Sequence, residues 1–271
     1  MEDEESRIGR GMGARMGISL RREWVDPLLA TRPPLPALEV IFEQWVFASE
    51  SELRQLERLR ERHPFLLHCL SMNVGSSDPL DRDYFEQVRA FADRFAIAQI
   101  SDHLSWRSIH GQWSLSLLPL PRTEEALAHV AARVTEAQSF LGRTIALENI
   151  SQYLPVPGDL PLVEMFNQLN ERAGTLLHLD LNNLLVTERW LGESPEAFLD
   201  ALTTDIAWIH VAGHDNVPLP IDDHSGMPTA ACMDLLARVA PSVPVILEWD
   251  RERPPLQKLL PAISAEQVQR A

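Results

Sequence analysis

Residues 144–183 read TIALENISQYLPVPGDLPLVEMFNQLNERAGTLLHLDLNN. Two short apolar runs, 144–150 and 175–183, enclose a segment of helical period that stops at Gly174. Runs this short and this apolar are the pattern of strands buried on both faces, and a helix joining two of them makes a parallel β–α–β unit. Each run also ends on polar groups: Glu148 and Asn149 in the first, Asp180, Asn182 and Asn183 in the second. A fold built from such units brings the carboxyl ends of its strands, and these side chains with them, to one side.

The pattern extends in both directions. Upstream lie MGISL (16–20), ALEVIFE (37–43), FLLHCLS (65–71) and AIAQISDHL (96–104); downstream lie AWIHVAGH (207–214) and PVILEWD (244–250). The segments between them have helical signals. DRDYFEQVRAFADRF sets Tyr84, Val88, Phe91 and Phe95 along one face. TEEALAHVAARVTEAQSFLG opens on Thr123 as N-cap, carries glutamates in its first turn and stops at Gly142. Eight strands with helical crossovers in about 250 residues predict an α/β fold, a single (β/α)8 TIM barrel over 16–271. A doubly wound open sheet is the alternative. Residues 1–15 are charged and glycine-rich with no apolar stretch, which reads as a disordered tail and not a signal peptide, with Met12 or Met16 as alternative starts.

Composition narrows the function. With 24 basic and 39 acidic residues the net charge is −15, and Lys258 is the single lysine. Affinity for phosphate backbones comes from Lys and Arg, so the charge argues against nucleic acid as a partner. The two cysteines, Cys69 and Cys232, are far apart and read as free thiols in a reducing compartment. No apolar run approaches the roughly 20 residues of a membrane span, and the expected location is the cytoplasm.

In a barrel, the active site is built at the carboxyl ends of the strands. Those ends here hold His68, Asp102, His103, Glu148, Asn149, Asp180, Asn182, Asn183, His210, His214, Glu248 and Asp250. The loop PIDDHSG (220–226) adds Asp222 and His224. Singly, each has a plain reading: His178 as a hydrogen-bonded core histidine, Asp102 and Asp250 as helix caps or loop ion pairs, Asp222 and His224 as a surface turn. Together, six successive strand ends bear ligand-type groups, and burying so much charge without compensation is costly. Cations among them would neutralise the charge and use the lone pairs. His63, His110 and His129 fall on helices or polar loops and receive no role. There is no G-x-S-x-G elbow, and GRGMGARMG precedes the first strand instead of following it, which is wrong for a phosphate loop.

In order along the chain, LHCLSMNVGSSDPLD, SDHLSW, LLPLPRTEEAL, LENIS, LDLNN, IHVAGH, IDDH and LEWD resemble the DUF692 family, the multinuclear non-heme iron-dependent oxidative enzymes, from Gly17 to Arg251. The resemblance implies a barrel of the xylose-isomerase-like type holding two or three iron ions in mixed Fe(II)/Fe(III) states, with O2 as cosubstrate. It implies oxidation of a cysteine in a ribosomally made precursor peptide, often presented by a small leader-binding partner protein. Carried over by motif, His68, His103 and Glu148 would hold one ion. Glu148 would bridge to a second, completed by Asp180, His210 and Glu248. Asp222 and His224, with Asn183, would hold a third. His210 is favoured over His214 as ligand; His214, Asn149, Asn182, Asp102 and Asp250 are then substrate or outer contacts. Two positions depart from the family pattern: Asp102 stands where Glu is usual, and Ser225 where a second Asp is common. The rival readings are a metal-dependent hydrolase and a sugar isomerase or epimerase of the same superfamily; the isomerase needs only Glu148, Asp180, His210 and Glu248.

Overall fold

The structure is a computed structural model that describes residues 16–214, 220–239 and 242–268. Its strands are β1 (Met16–Ser19), β2 (Leu38–Ile41), β3 (Phe65–His68), β4 (Ile100–His103), β5 (Trp106–Ile109), β6 (Gln112–Leu118), β7 (Ile145–Glu148), β8 (Leu176–Asp180), β9 (Ile206–Val211) and β10 (Val245–Leu247). β5 and β6 form a separate antiparallel hairpin, and the other eight close into a parallel barrel in the order β1, β2, β3, β4, β7, β8, β9, β10. The closed barrel, not the open sheet, is the fold. The seam between β10 and β1 is made by Met16 opposite Val245 and Ile18 opposite Leu247.

Helices α1 (Val25–Thr31), α2 (Glu50–Arg60), α3 (Arg82–Arg94), α4 (Glu124–Leu141), α5 (Leu162–Ala173), α6 (Leu181–Leu191), α7 (Pro195–Ala201), α8 (Ala230–Val239) and α9 (Leu256–Val268) follow the strands. The expected punctuation of α4 is present: the Thr123 hydroxyl accepts the Ala126 N–H at 3.2 Å, and Gly142 ends the helix at φ 64°. Gly174 ends α5 in the same left-handed conformation.

Alternation along each strand divides the interior in two. Residues such as Leu67, Leu147, Ile209 and Leu247 join the large core that packs strands against helices. Their neighbours Leu66, Ala146, Trp208 and Ile246, with Ala37 and Ala207, form a smaller apolar cluster that floors the barrel lumen. Two residues further along each strand, on the same side, stand His68, Glu148, His210 and Glu248. Glu39 stands two residues after Ala37 in the same way. The strand period thus stacks a charged layer on an apolar floor.

Strand ends differ from the sequence reading in three places. The run 175–183 breaks at Asp180, whose carboxylate accepts the Asn183 N–H at 2.6 Å and caps α6. Asn182 and Asn183 therefore sit in the first turn of a helix, because the Asp cap competes successfully with strand continuation. β9 stops at Val211, so His214 lies beyond the strand and does not share its face with His210. β10 stops at Leu247, leaving Glu248 and Asp250 in the loop that follows. The hairpin was not expected: His110 and Gly111 both adopt positive φ, 52° and 74°, and make the two-residue turn that a hairpin twist demands. β5 is tied to the barrel through Asn73 and Ser76, which bond Ser108. The outer edge of β6 pairs with no strand among the described residues, and Trp113 and Leu115 on it are exposed.

The expected tail, residues 1–15, and with it the alternative start Met12, lies outside the described residues. Cys69 and Cys232 are buried and unpaired with each other. No described helix is long and apolar enough to cross a membrane.

Candidate metal centre

Strand register sets the first contacts. His103 of β4 pairs with Glu148 of β7, and Asp180 of β8 with His210 of β9, so a histidine and a carboxylate meet at two strand joints. Glu148 Oε2 lies 3.4 Å from His68 Nε2, 3.5 Å from His103 Nε2 and 3.3 Å from His178 Nδ1. Its other oxygen, Oε1, is 3.7 Å from His210 Nδ1. That nitrogen also lies 3.0 Å from Glu248 Oε2 and 3.7 Å from Asp180 Oδ2. Glu148 therefore faces two sets of donors, one with each oxygen.

A third set adjoins the second. His224 Nε2 is 2.6 Å from Asp222 Oδ1 and 3.8 Å from Asp180 Oδ2, while its Nδ1 is 3.0 Å from Glu248 Oε2 and 3.4 Å from Asp250 Oδ2. The loop holding Asp222 and His224 is pinned and is no free surface turn. The Asp222 N–H donates to the Tyr153 hydroxyl at 2.9 Å, and the Trp190 indole donates to the Pro220 carbonyl at 2.7 Å. His224 itself takes a left-handed φ of 43°, and its carbonyl accepts the Asp250 N–H.

The charges follow from this crowding. Burial opposes the charge on His103, but Glu148 and Asp102 outweigh it and raise its pKa to about 9. Burial is likewise overcome at His210 by Glu39 and Glu248, and at His224 by Asp222 and Glu248; both imidazoles are held well above their ordinary range. Asp180 is pushed up by burial, reinforced by Glu148 and Asp222 and only partly offset by His224. His178 is driven the other way, first by burial and then by His210 and His68, and stays neutral. The carboxylates draw protons onto three imidazoles by the same attraction that would hold a cation.

Hydrogen bonding tests whether a metal fits. Glu148 Oε2 and Asp180 Oδ2 are both buried without a hydrogen-bond partner. Orphaned lone pairs are rare and costly in a protein interior, and these belong to the three sets just described. Atoms of Glu148, Asp180, His210 and Glu248 lie mutually within 4.8 Å, as do atoms of His68, Glu148 and His178. Imidazole and carboxylate donors without thiolate suit iron, manganese or zinc.

The remaining sequence candidates surround these sets. Asp102 accepts the N–H groups of Met72 and His103, each at 2.6 Å, and its Oδ1 is 3.3 Å from His103 Nδ1. Asn149 clamps the backbone of Asp180, accepting its N–H at 2.9 Å and donating to its carbonyl at 2.8 Å. Asn183 accepts from the Ser151 hydroxyl and donates to the Asn149 carbonyl. His214 is held at the margin, 2.6 Å from Asn182 Oδ1, so that His210 and not His214 stands among Glu148, Asp180 and Glu248. Asp250 receives Arg21 at 2.5 Å, the ion pair that was one of its plain readings.

Sequence reasoning missed several residues. His178, read as a core histidine, does approach the Ser101 hydroxyl at 3.2 Å, but it also stands against Glu148. Glu39, Ser101 and Arg21 are buried in or beside the cluster, and Tyr153 and Trp190 pin its loop. The signal for Glu39 was present: a carboxylate in the interior of the apolar run 37–43, four residues before the Glu43 that ends it.

A family model described as the RiPP precursor modification enzyme MbnB/TglH/ChrH matches residues 15–270. The chain is 36% identical over 251 residues to a UPF0276 protein of Acaryochloris marina (strain MBIC 11017), covering 90% of each. It is 36% identical over 250 residues to a UPF0276 protein of Anaeromyxobacter sp. (strain Fw109-5), covering 90% of this chain and 88% of that one. Among solved structures it is similar to endonuclease IV from Thermus thermophilus, with TM-score 0.62 and 17% identity over 95% of this chain and 100% of that one. It is also similar to D-psicose 3-epimerase from Clostridium cellulolyticum, with TM-score 0.58 and 11% identity over 89% and 86%. At such identities these structures establish the (β/α)8 barrel fold and nothing of the chemistry.

Proposed function

The chain belongs to the MbnB/TglH/ChrH family of RiPP precursor modification enzymes, the DUF692 family, and on that premise we propose that it oxidises a cysteine of a ribosomally made precursor peptide, using iron and O2. The observation that supports the reading is the set of buried imidazole nitrogens facing both oxygens of Glu148, whose Oε2, like Asp180 Oδ2, has no hydrogen-bond partner. In the proposed assignment, His68, His103 and Glu148 hold one ion; Glu148, Asp180, His210 and Glu248 hold a second. Asp222 and His224, with Asn183 beside them, serve a third.

Bound iron would supply the redox chemistry with O2 that these side chains lack. The protein's own contribution is position and charge. Asp102 holds the ring of His103 by its 3.3 Å contact, and the Asn149 clamp fixes Asp180. Arg21 neutralises Asp250 and lies 3.7 Å from Glu248, limiting the negative charge at that side. Asp222 and Asp250 are the more exposed members, with side chains 23% and 45% accessible, so a peptide cysteine would approach from their side. Selecting one peptide among many thiols requires binding energy away from the reacting atom, which a small partner holding the peptide leader would provide.

An isomerase of the same fold would need one metal and would leave His68, His103, Asp222 and His224 without a task. The test is co-expression with a cysteine-bearing precursor and its partner protein, followed by elemental analysis and peptide mass. The expected result is two or three iron ions per chain and an O2-dependent mass change at the cysteine. A single metal per chain, or full activity with zinc alone, would overturn the proposal.

A further inference from the structure

The charged layer just above the floor of the lumen holds a carboxylate for which the proposed chemistry has no direct use. Glu39 is fully buried, two residues beyond the apolar floor residue Ala37. An ionised carboxylate is costly at such a site unless its lone pairs are used. Glu39 Oε2 lies 2.6 Å from His210 Nε2 and accepts the indole N–H of Trp208, a floor residue, at 3.0 Å. Trp208 is itself immobilised, with no exposed surface and its ring 4.5 Å from that of His178. The two nitrogens of His210 are thus divided. Nε2 faces Glu39 on the floor side; Nδ1, also buried, faces Glu248 at 3.0 Å and Asp180 and Glu148 at 3.7 Å.

We infer that Glu39 is a positioning residue: it takes the Nε2–H of His210 and so presents the Nδ1 lone pair to a metal held with Glu148, Asp180 and Glu248. The inference rests on the metal reading given above and deepens it. An imidazole donating its far N–H to a carboxylate is a better and better-aimed ligand, because one tautomer and one ring orientation are selected. A parallel arrangement exists at His68, whose Nδ1 is 2.7 Å from the Ser101 hydroxyl while Nε2 faces Glu148. Glu39 differs in bringing a full charge, anchored by an indole that cannot rotate away.

The test compares the wild-type chain with Glu39→Gln and Glu39→Leu. Anaerobic Fe(II) titration against a chromophoric chelator gives metal affinity, and thermal melting of the metal-free chains gives stability. Loss of such an outer partner weakens binding by about 10- to 100-fold, so Glu39→Leu should lose affinity in this range. Glu39→Gln, whose amide oxygen still accepts the Nε2–H, should fall between the two. Equal affinities in all three chains, whatever the melting temperatures, would overturn the inference and leave the metal reading intact. A wild-type chain that takes up no metal would overturn both. If Glu39→Leu does not fold, nitrogen NMR of the zinc-loaded wild type and Glu39→Gln decides. The expected His210 has its proton on Nε2, with that signal shifted in the variant; an unshifted signal together with unchanged affinity overturns the inference.

Discussion

At the scale of the residue, Glu148 matters because its two oxygens face different partners. Oε2 meets His68, His103 and His178, and Oε1 meets His210. Glu148→Ala should therefore cost metal at two positions and abolish turnover. Asp222→Ala should release one ion and leave partial activity, since its carboxylate meets His224 and Asn182 at the margin of the cluster. Elemental analysis of the two purified variants checks this, and full metal retention in Glu148→Ala would refute the shared role. Most of this cluster was legible because a carboxylate or imidazole at the end of an apolar strand has no packing reason to be there. Glu39 and His178 were harder to see. Each lies inside its apolar run, where a lone polar residue reads equally as a satisfied core group, and only the three-dimensional neighbours distinguish the two.

At the scale of the element, the two-residue repeat of the strand is what assembles the site. Leu66 and His68, Ala146 and Glu148, Trp208 and His210, Ile246 and Glu248 are four copies of one step from floor to charged layer. Applied to Ala37, the same step leads to Glu39 once the floor is known from the structure. Strand existence was legible from apolar runs, but strand ends were not: at Asp180 the choice between strand and helix cap depends on a single N–H. The hairpin was missed because its strands are largely solvated and carry no continuous apolar run, although the His110–Gly111 pair is a turn signal. Barrel closure sets a further requirement at β1. A methyl group on Gly17 would press on the Ala37 carbonyl and come within 2.7 Å of Ile246 Cδ1. Gly17→Ala should destabilise the fold by about 1–3 kcal/mol through overpacking at the seam, read as a lower urea midpoint at unchanged slope.

At the scale of the whole molecule, the charged layer makes stability depend on what neutralises it. In the proposed reading, a metal at about a thousand times its Kd adds about 4 kcal/mol, which for a chain of this size is a rise in Tm of about 10 °C. Chelation should remove that increment and reloading restore it, by calorimetry; an unchanged Tm would mean that the carboxylates and imidazoles balance one another without an ion. The hairpin has a different consequence, which concerns the molecule in a crowd of its copies. The outer edge of β6 is the run QWSLSLL, Gln112–Leu118, with no charge or proline to discourage a second strand from adding to it. Leu115 stands wholly in solvent. Concentrated chain should therefore aggregate through this ribbon by cross-β pairing. Leu115→Lys, which removes no buried contact, should raise the concentration at which light scattering sets in while changing stability by no more than about 0.5 kcal/mol; unchanged scattering would assign the aggregation to another surface.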